Sequence, residues 1–171
     1  ATNRGGLASC VRSVTTSTSG TEHALRIEVT RGPVVFRCGS SSGADDYISE
    51  TDLETGTHSL AFTPTGPYYV YFSTTREVGV IVDSITVESA GVMEITAPWA
   101  TAELREIKFE QSADVIFLAH ENWQPRKIER RATNSWSLVL YKTDDGPFTL
   151  ARTAKVRLKP GRKGPPIPFL P

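Results

Sequence analysis

The chain has 171 residues, 39% apolar and 22% charged, with 19 acidic and 19 basic side chains. A chain of this size buries roughly two-thirds of its unfolded surface and folds without covalent staples, and its composition excludes a disordered polymer. No apolar run approaches the ~20 residues of a membrane-spanning helix, and Ala1-Thr2-Asn3-Arg4-Gly5-Gly6 has no apolar core of the signal-peptide kind.

Residues 1–23 are rich in Ser, Thr and Gly and read as one weak strand with flexible flanks. Leu25, Ile27 and Val29 then alternate with Arg26, Glu28 and Thr30, the period-two signal of a half-buried strand. Arg31-Gly32-Pro33 is a turn, Val34 to Cys38 the next strand, and Gly39-Ser40-Ser41-Ser42-Gly43 a loop. Tyr47 to Thr51, Thr57 to Thr63, Tyr68 to Ser73 and Val78 to Glu88 complete the first half, with turn residues between them. Short strands at spacings of about ten residues predict a β-sandwich or jelly roll. Thr101 to Ile107 carries the helical signal: Thr101 as cap, Glu103 at the positive end of the dipole, Leu104 and Ile107 on one face. Beyond it, Val115 to Ala119 is an apolar strand, Glu121 to Pro125 a turn, Lys127 to Arg131 a polar strand, and Ser135 to Lys142 a third. Together these predict a three-stranded antiparallel meander.

Charge is unevenly spread. Residues 1–100 hold 11 of the 19 acidic side chains but 6 of the 19 basic ones, and lysine is absent before Lys108. The asymmetry predicts two modules: a jelly-roll-like β-sandwich over 1–92 and an antiparallel β-meander over 93–158, joined by one short helix. A Pro-rich basic tail follows over 159–171. The fold class is therefore all-β. Trp136 is expected to pack against the Val115 to Leu118 strand. The meander's open edges call for a partner, either the sandwich, through Phe109, Phe117 and Trp99, or another chain, through Phe148 to Leu158.

Residues 109–148 carry an ordered pattern: Phe109-x-Gln111-Ser112-Ala113-Asp114-Val115-x-Phe117, then Pro125-Arg126-Lys127-Ile128, then Ser135-Trp136 and Asp145-Gly146-Pro147-Phe148. It resembles a repeated segment of large virion proteins of tailed phages and prophages, the tail-tube or nozzle-like group sometimes called stabilisation proteins. Residues 24–88 are similar to jelly-roll domains of the carbohydrate-binding type, through Leu60-Ala61-Phe62-Thr63-Pro64, Tyr68 to Phe72 and Val82 to Glu88. Proteins of the phage group are several times longer, and Arg162 to Pro168 does not continue their pattern. The resemblance implies a structural component of a phage or prophage tail, assembled in the bacterial cytoplasm and carried in the virion. Its partners would be other virion or tail subunits. The alternative it implies is a carbohydrate-binding module that attaches a particle or enzyme to glycans.

The residues themselves supply no catalytic set, so an enzyme is not expected. Gly39-Ser40-Ser41-Ser42-Gly43 matches the G-x-S-x-G elbow in letters, but it leads into a strand where that motif needs a helix. His23, His58 and His120 are scattered. Cys10 and Cys38 lack a second Cys or His at ligand spacing, so no zinc is expected, and reduced thiols are the simpler reading. Asp45 and Asp46 offer oxygen to a calcium ion but fall short of six ligands, so no metal or cofactor is expected. The interaction candidates are Tyr69 and Tyr71, which alternation turns away from Tyr68, Val70 and Phe72, together with Trp123, Arg126 and Arg130. On a strand, Lys127 and Arg131 point opposite to Arg126 and Arg130, so the cluster does not form one basic patch and nucleic acid is not expected as a partner.

Overall fold

The computed structural model describes residues 8–14, 19–88 and 92–142. Among them, eleven strands form two antiparallel sheets, and the single helical element is one 3₁₀ turn. The small sheet runs β1 (Ala8–Val14), β6 (Tyr68–Thr74), β3 (Val34–Gly39), β4 (Ile48–Leu53). The large sheet runs β7 (Ile81–Glu88), β2 (His23–Arg31), β5 (Gly56–Phe62), β11 (Ser135–Leu140), β10 (Trp123–Ala132), β9 (Val115–His120), β8 (Lys108–Ser112). The pairs β3–β6 and β2–β7 are nested around the β4–β5 turn, the order left when a long hairpin is rolled into a jelly-roll-like sandwich.

Alternation decides which side chains meet between the sheets. Leu25, Ile27 and Val29 point inward from β2, Phe36 and Cys38 from β3, and Tyr68, Val70 and Phe72 from β6. Phe62 packs edge-on against Tyr68 with ring centroids 4.9 Å apart, and Phe36 lies 5.1 Å from Phe72. Each such burial stabilises by roughly 1.5–3 kcal/mol.

After β7 the chain crosses to the opposite edge of the large sheet before β8 begins, a span of about 29 Å at ~4.8 Å per strand. Residues 92–107 make this crossing over the outer face. Glu94 pairs with Arg26 at 3.4 Å, the Thr57 hydroxyl donates to the Thr96 carbonyl at 3.0 Å, and Glu106 reaches His120 at 3.3 Å. The crossing explains why outer-face residues such as Ala24, Ser59 and Leu138 are buried although they point away from the sandwich core. From β8 the strands return inward as hairpins until β11 meets β5.

The meander and the sandwich thus share a backbone ladder, Ser135 opposite Leu60 through Val139 opposite Gly56. Ala61 N–H donates to the Asn134 carbonyl at one end, and Leu140 N–H to the Thr55 carbonyl at the other. Gly56 makes this approach possible. Its φ is 151°, and a Cβ there would overlap the Leu138 carbonyl oxygen and lie 2.7 Å from the Val139 Cα.

Several expectations need correction. The meander has four strands, because Lys108–Ser112 pairs with β9 although every residue in it is exposed. The expected two-turn helix is a 3₁₀ turn, Glu103–Glu106, and no side chain caps it from Ala102. Only Glu121 and Asn122 turn between β9 and β10; β10 begins at Trp123 and absorbs Pro125 in a bulge, where a residue without an N–H is tolerated. Trp136 is half-buried beside Arg130 and Ser59, one strand removed from β9, with its indole donating to the Thr133 carbonyl. Phe109 is 74% exposed and seals no interface. The Asp145 to Phe148 part of the pattern, the Phe148 to Leu158 edge and the 159–171 tail lie outside the described residues.

Candidate functional site

The tyrosine pair stands on the outer face of the small sheet. Tyr68, Val70 and Phe72 are buried, which turns Tyr69 and Tyr71 outward, both half-exposed. Tyr71 lies opposite Arg37 on β3, whose guanidinium sits 4.2 Å from the ring centroid and reaches Glu50 at 3.4 Å. A hydrogen bond from Ser9, then hydrogen bonding and charge from Arg37, hold the Tyr71 phenol below its usual pKa. One face of this ring is therefore taken by a cation. Tyr69 lies opposite Gly39 on β3, which has no side chain to set against its ring.

The basic residues divide between two faces, as alternation requires. Lys127 and Arg131 both pair with Glu129, and Arg131 also donates to the Asp52 carbonyl. Arg130 reaches Asp114 at 3.7 Å on the other side. Arg126 lies between Leu118 and Leu140 with its Nε buried and without a partner. Trp123 is half-buried, and its indole donates to Glu103 at 3.1 Å. The second Glu103 oxygen accepts from Ala100 N–H at 2.8 Å. These bonds, the backbone one foremost, hold that carboxyl below the usual range. Trp123 thus ties the crossing segment to the sheet instead of presenting a free ring.

The histidines do not assemble a nucleophile and base. His58, Ser137 and Glu129 stand opposite one another across β5, β11 and β10, the placement a triad would begin from. However, His58 Nε2 donates to the Glu54 carbonyl at 2.8 Å, and its buried Nδ1 has no partner. Burial pushes its pKa down to about 4. His23 Nδ1 donates to the Thr21 carbonyl at 2.9 Å. His120 Nδ1 accepts from Asn122 N–H, while Nε2 faces Glu106 at 3.3 Å without the alignment of a hydrogen bond.

Ser40 to Gly43 opens the loop between β3 and β4. Asp46 accepts from Ser40 N–H at 2.8 Å, and this bond lowers its pKa. Among the described residues, no group of three or more His, Cys, Asp or Glu side chains could hold a metal ion. Cys10 and Cys38 are both free thiols.

The feature that sequence reasoning missed is the outer edge of β8. Lys108, Phe109, Glu110, Gln111 and Ser112 alternate polar and apolar too weakly to announce a strand, yet they end the large sheet with Phe109 exposed. Compared with known proteins, the chain matches no family model, no curated protein and no solved structure.

Proposed function

We propose that this protein is a structural component of a phage or prophage tail and works through contacts with other virion subunits. The ordered pattern over Phe109 to Trp136 supports the family part of this reading. The contact part rests on one observation, the β8 edge, which no described strand covers and which exposes Phe109. An open edge of this kind is a template for another chain. The test is peptide mass spectrometry of gradient-purified particles from a strain carrying the gene. Peptides of this chain at stoichiometric yield in tail fractions are expected; their absence from particles made while the chain is expressed rejects the reading.

A second reading, a carbohydrate-binding module, is favoured by the outward Tyr69 on the small sheet. Affinity electrophoresis against a glycan panel separates the two. A saturable shift lost on Tyr69→Ala supports the module, and no shift with any glycan removes it.

A further inference from the structure

We infer that the β8 edge binds a second copy of this chain, strand to strand and antiparallel, with Phe109 on the two-fold axis. The inference rests on the reading above that the protein works through chain–chain contacts, and it names the partner.

Backbone parity allows this register. Asp114 accepts from Arg130 N–H at 2.9 Å, so the Asp114 carbonyl points toward β10. Alternation then turns the Val115 backbone toward β8, and with it the inward groups of its partner Ser112 and of Glu110 and Lys108. Phe109 and Gln111 are left with N–H and C=O directed out of the sheet. Ile107, extended at φ −66° and ψ 122°, continues the same parity. If Phe109 faces its own copy as a hydrogen-bonded pair, Gln111 faces Ile107 of the partner subunit. All the outward groups of these residues then find partners.

Charge selects the same register. Lys108 and Glu110 share one face of the sheet, opposite Ala119 and Phe117, while Phe109 lies on the other, opposite Leu118. Centring on Phe109 sets Lys108 against Glu110 of the partner subunit, and Glu110 against Lys108 of the partner subunit. Both are non-hydrogen-bonded pairs, in which side chains approach most closely. The two exposed Phe109 rings meet beside the axis on the opposite face. Centring on Glu110 or on Lys108 opposes like charges. Centring on Gln111 runs Lys108 and Phe109 into the Ala113–Asp114 turn, where Ala113 has φ 51° and is not extended. The β8–β9 ladder runs without a register shift, so the edge stays straight; β7, at the far edge of the same sheet, pairs with β2 through two shifts.

A five-residue edge makes a small interface, so the expected association is concentration-dependent, with Kd on the order of 10–100 µM. Sedimentation equilibrium of the full chain and its variants decides. The wild type should dimerise, and more weakly at high salt. Lys108→Glu and Glu110→Lys should each weaken the dimer about tenfold or more, while the double exchange should return Kd to within about threefold of wild type. Phe109→Pro removes the outward N–H and the exposed ring but no hydrogen bond to β9, so it should abolish the dimer and keep the thermal transition. Failing that, the exposed charge exchanges still decide. A wild type that stays monomeric to the order of 1 mM, or a double exchange that does not restore association, overturns the inference. Dimers in solution with no peptides in particles reject the tail reading and leave this one standing. Peptides in particles with a monomeric chain do the reverse.

Discussion

Lowering the pH should destabilise this protein through His58. The imidazole is 1% exposed, tied through Nε2 to the Glu54 carbonyl, and its Nδ1 has nothing to accept from. Burial is the main cause of its depressed pKa of about 4; the Glu54 bond and Glu129 push it up, and Arg131 pushes it down. In the unfolded chain the same group returns to about 6.5. The folded state therefore binds the proton more weakly. The stability carried by a neutral His58 is complete above about pH 6.5, falls as pH drops, and is lost once pH passes the folded value. A difference of about 2.5 units is worth about 3 kcal/mol, or roughly 6–12 °C in melting temperature for a chain of this length. Urea unfolding at a series of pH values between about 7 and 4 measures it, with His58→Gln as the control, because glutamine can still donate to Glu54 but does not titrate. Carboxylates contribute equally to both proteins, so the wild type should lose about 3 kcal/mol more than the variant over this range. Equal pH slopes would refute the assignment and place a proton on His58 in the fold.

Gly56→Ala should destabilise by about 3 kcal/mol in chemical denaturation, since the new Cβ meets the β11 backbone at a φ that favours glycine. An unchanged midpoint would mean β5 and β11 are farther apart than described. Burial pushes the Cys38 thiol up to about 12, while Cys10 is exposed, so alkylation under native conditions should modify Cys10 alone and reach Cys38 only on unfolding. Equal labelling rates at the two sites contradict this.

The sandwich was largely legible in the sequence, and for a physical reason. Where one strand face is buried and the other wet, as at Leu25 to Val29 and Tyr68 to Phe72, the alternation is written into residue polarity. The faces of Tyr69 and Tyr71, and the separation of Arg126 and Arg130 from Lys127 and Arg131, followed from the same rule. Strand β8 was not legible, because a fully exposed edge has no buried face to leave a pattern. Trp136 was misplaced because a large ring suggests a core. The covering of the outer face by 92–107 turned burial toward Leu138 instead, and no local signal announces a segment that crosses from Glu94 to Glu106. Arg37 stacking on Tyr71 joins residues far apart in sequence, and only the β3–β6 register brings them together.

The ladder between β5 and β11 makes one sheet of the sandwich and the meander, and it carries β8 to the edge where contacts are proposed. Native-state hydrogen exchange tests it most directly, at the amides of Ala61, which bonds the Asn134 carbonyl, and Leu140, which bonds the Thr55 carbonyl. Both should exchange only with global unfolding, at the same free energy as core β2 amides such as Ile27. Exchange of Leu140 and the rest of β9 to β11 at a distinctly lower free energy, while β2 stays protected, would show that the meander opens independently and that the joined sheet is wrong.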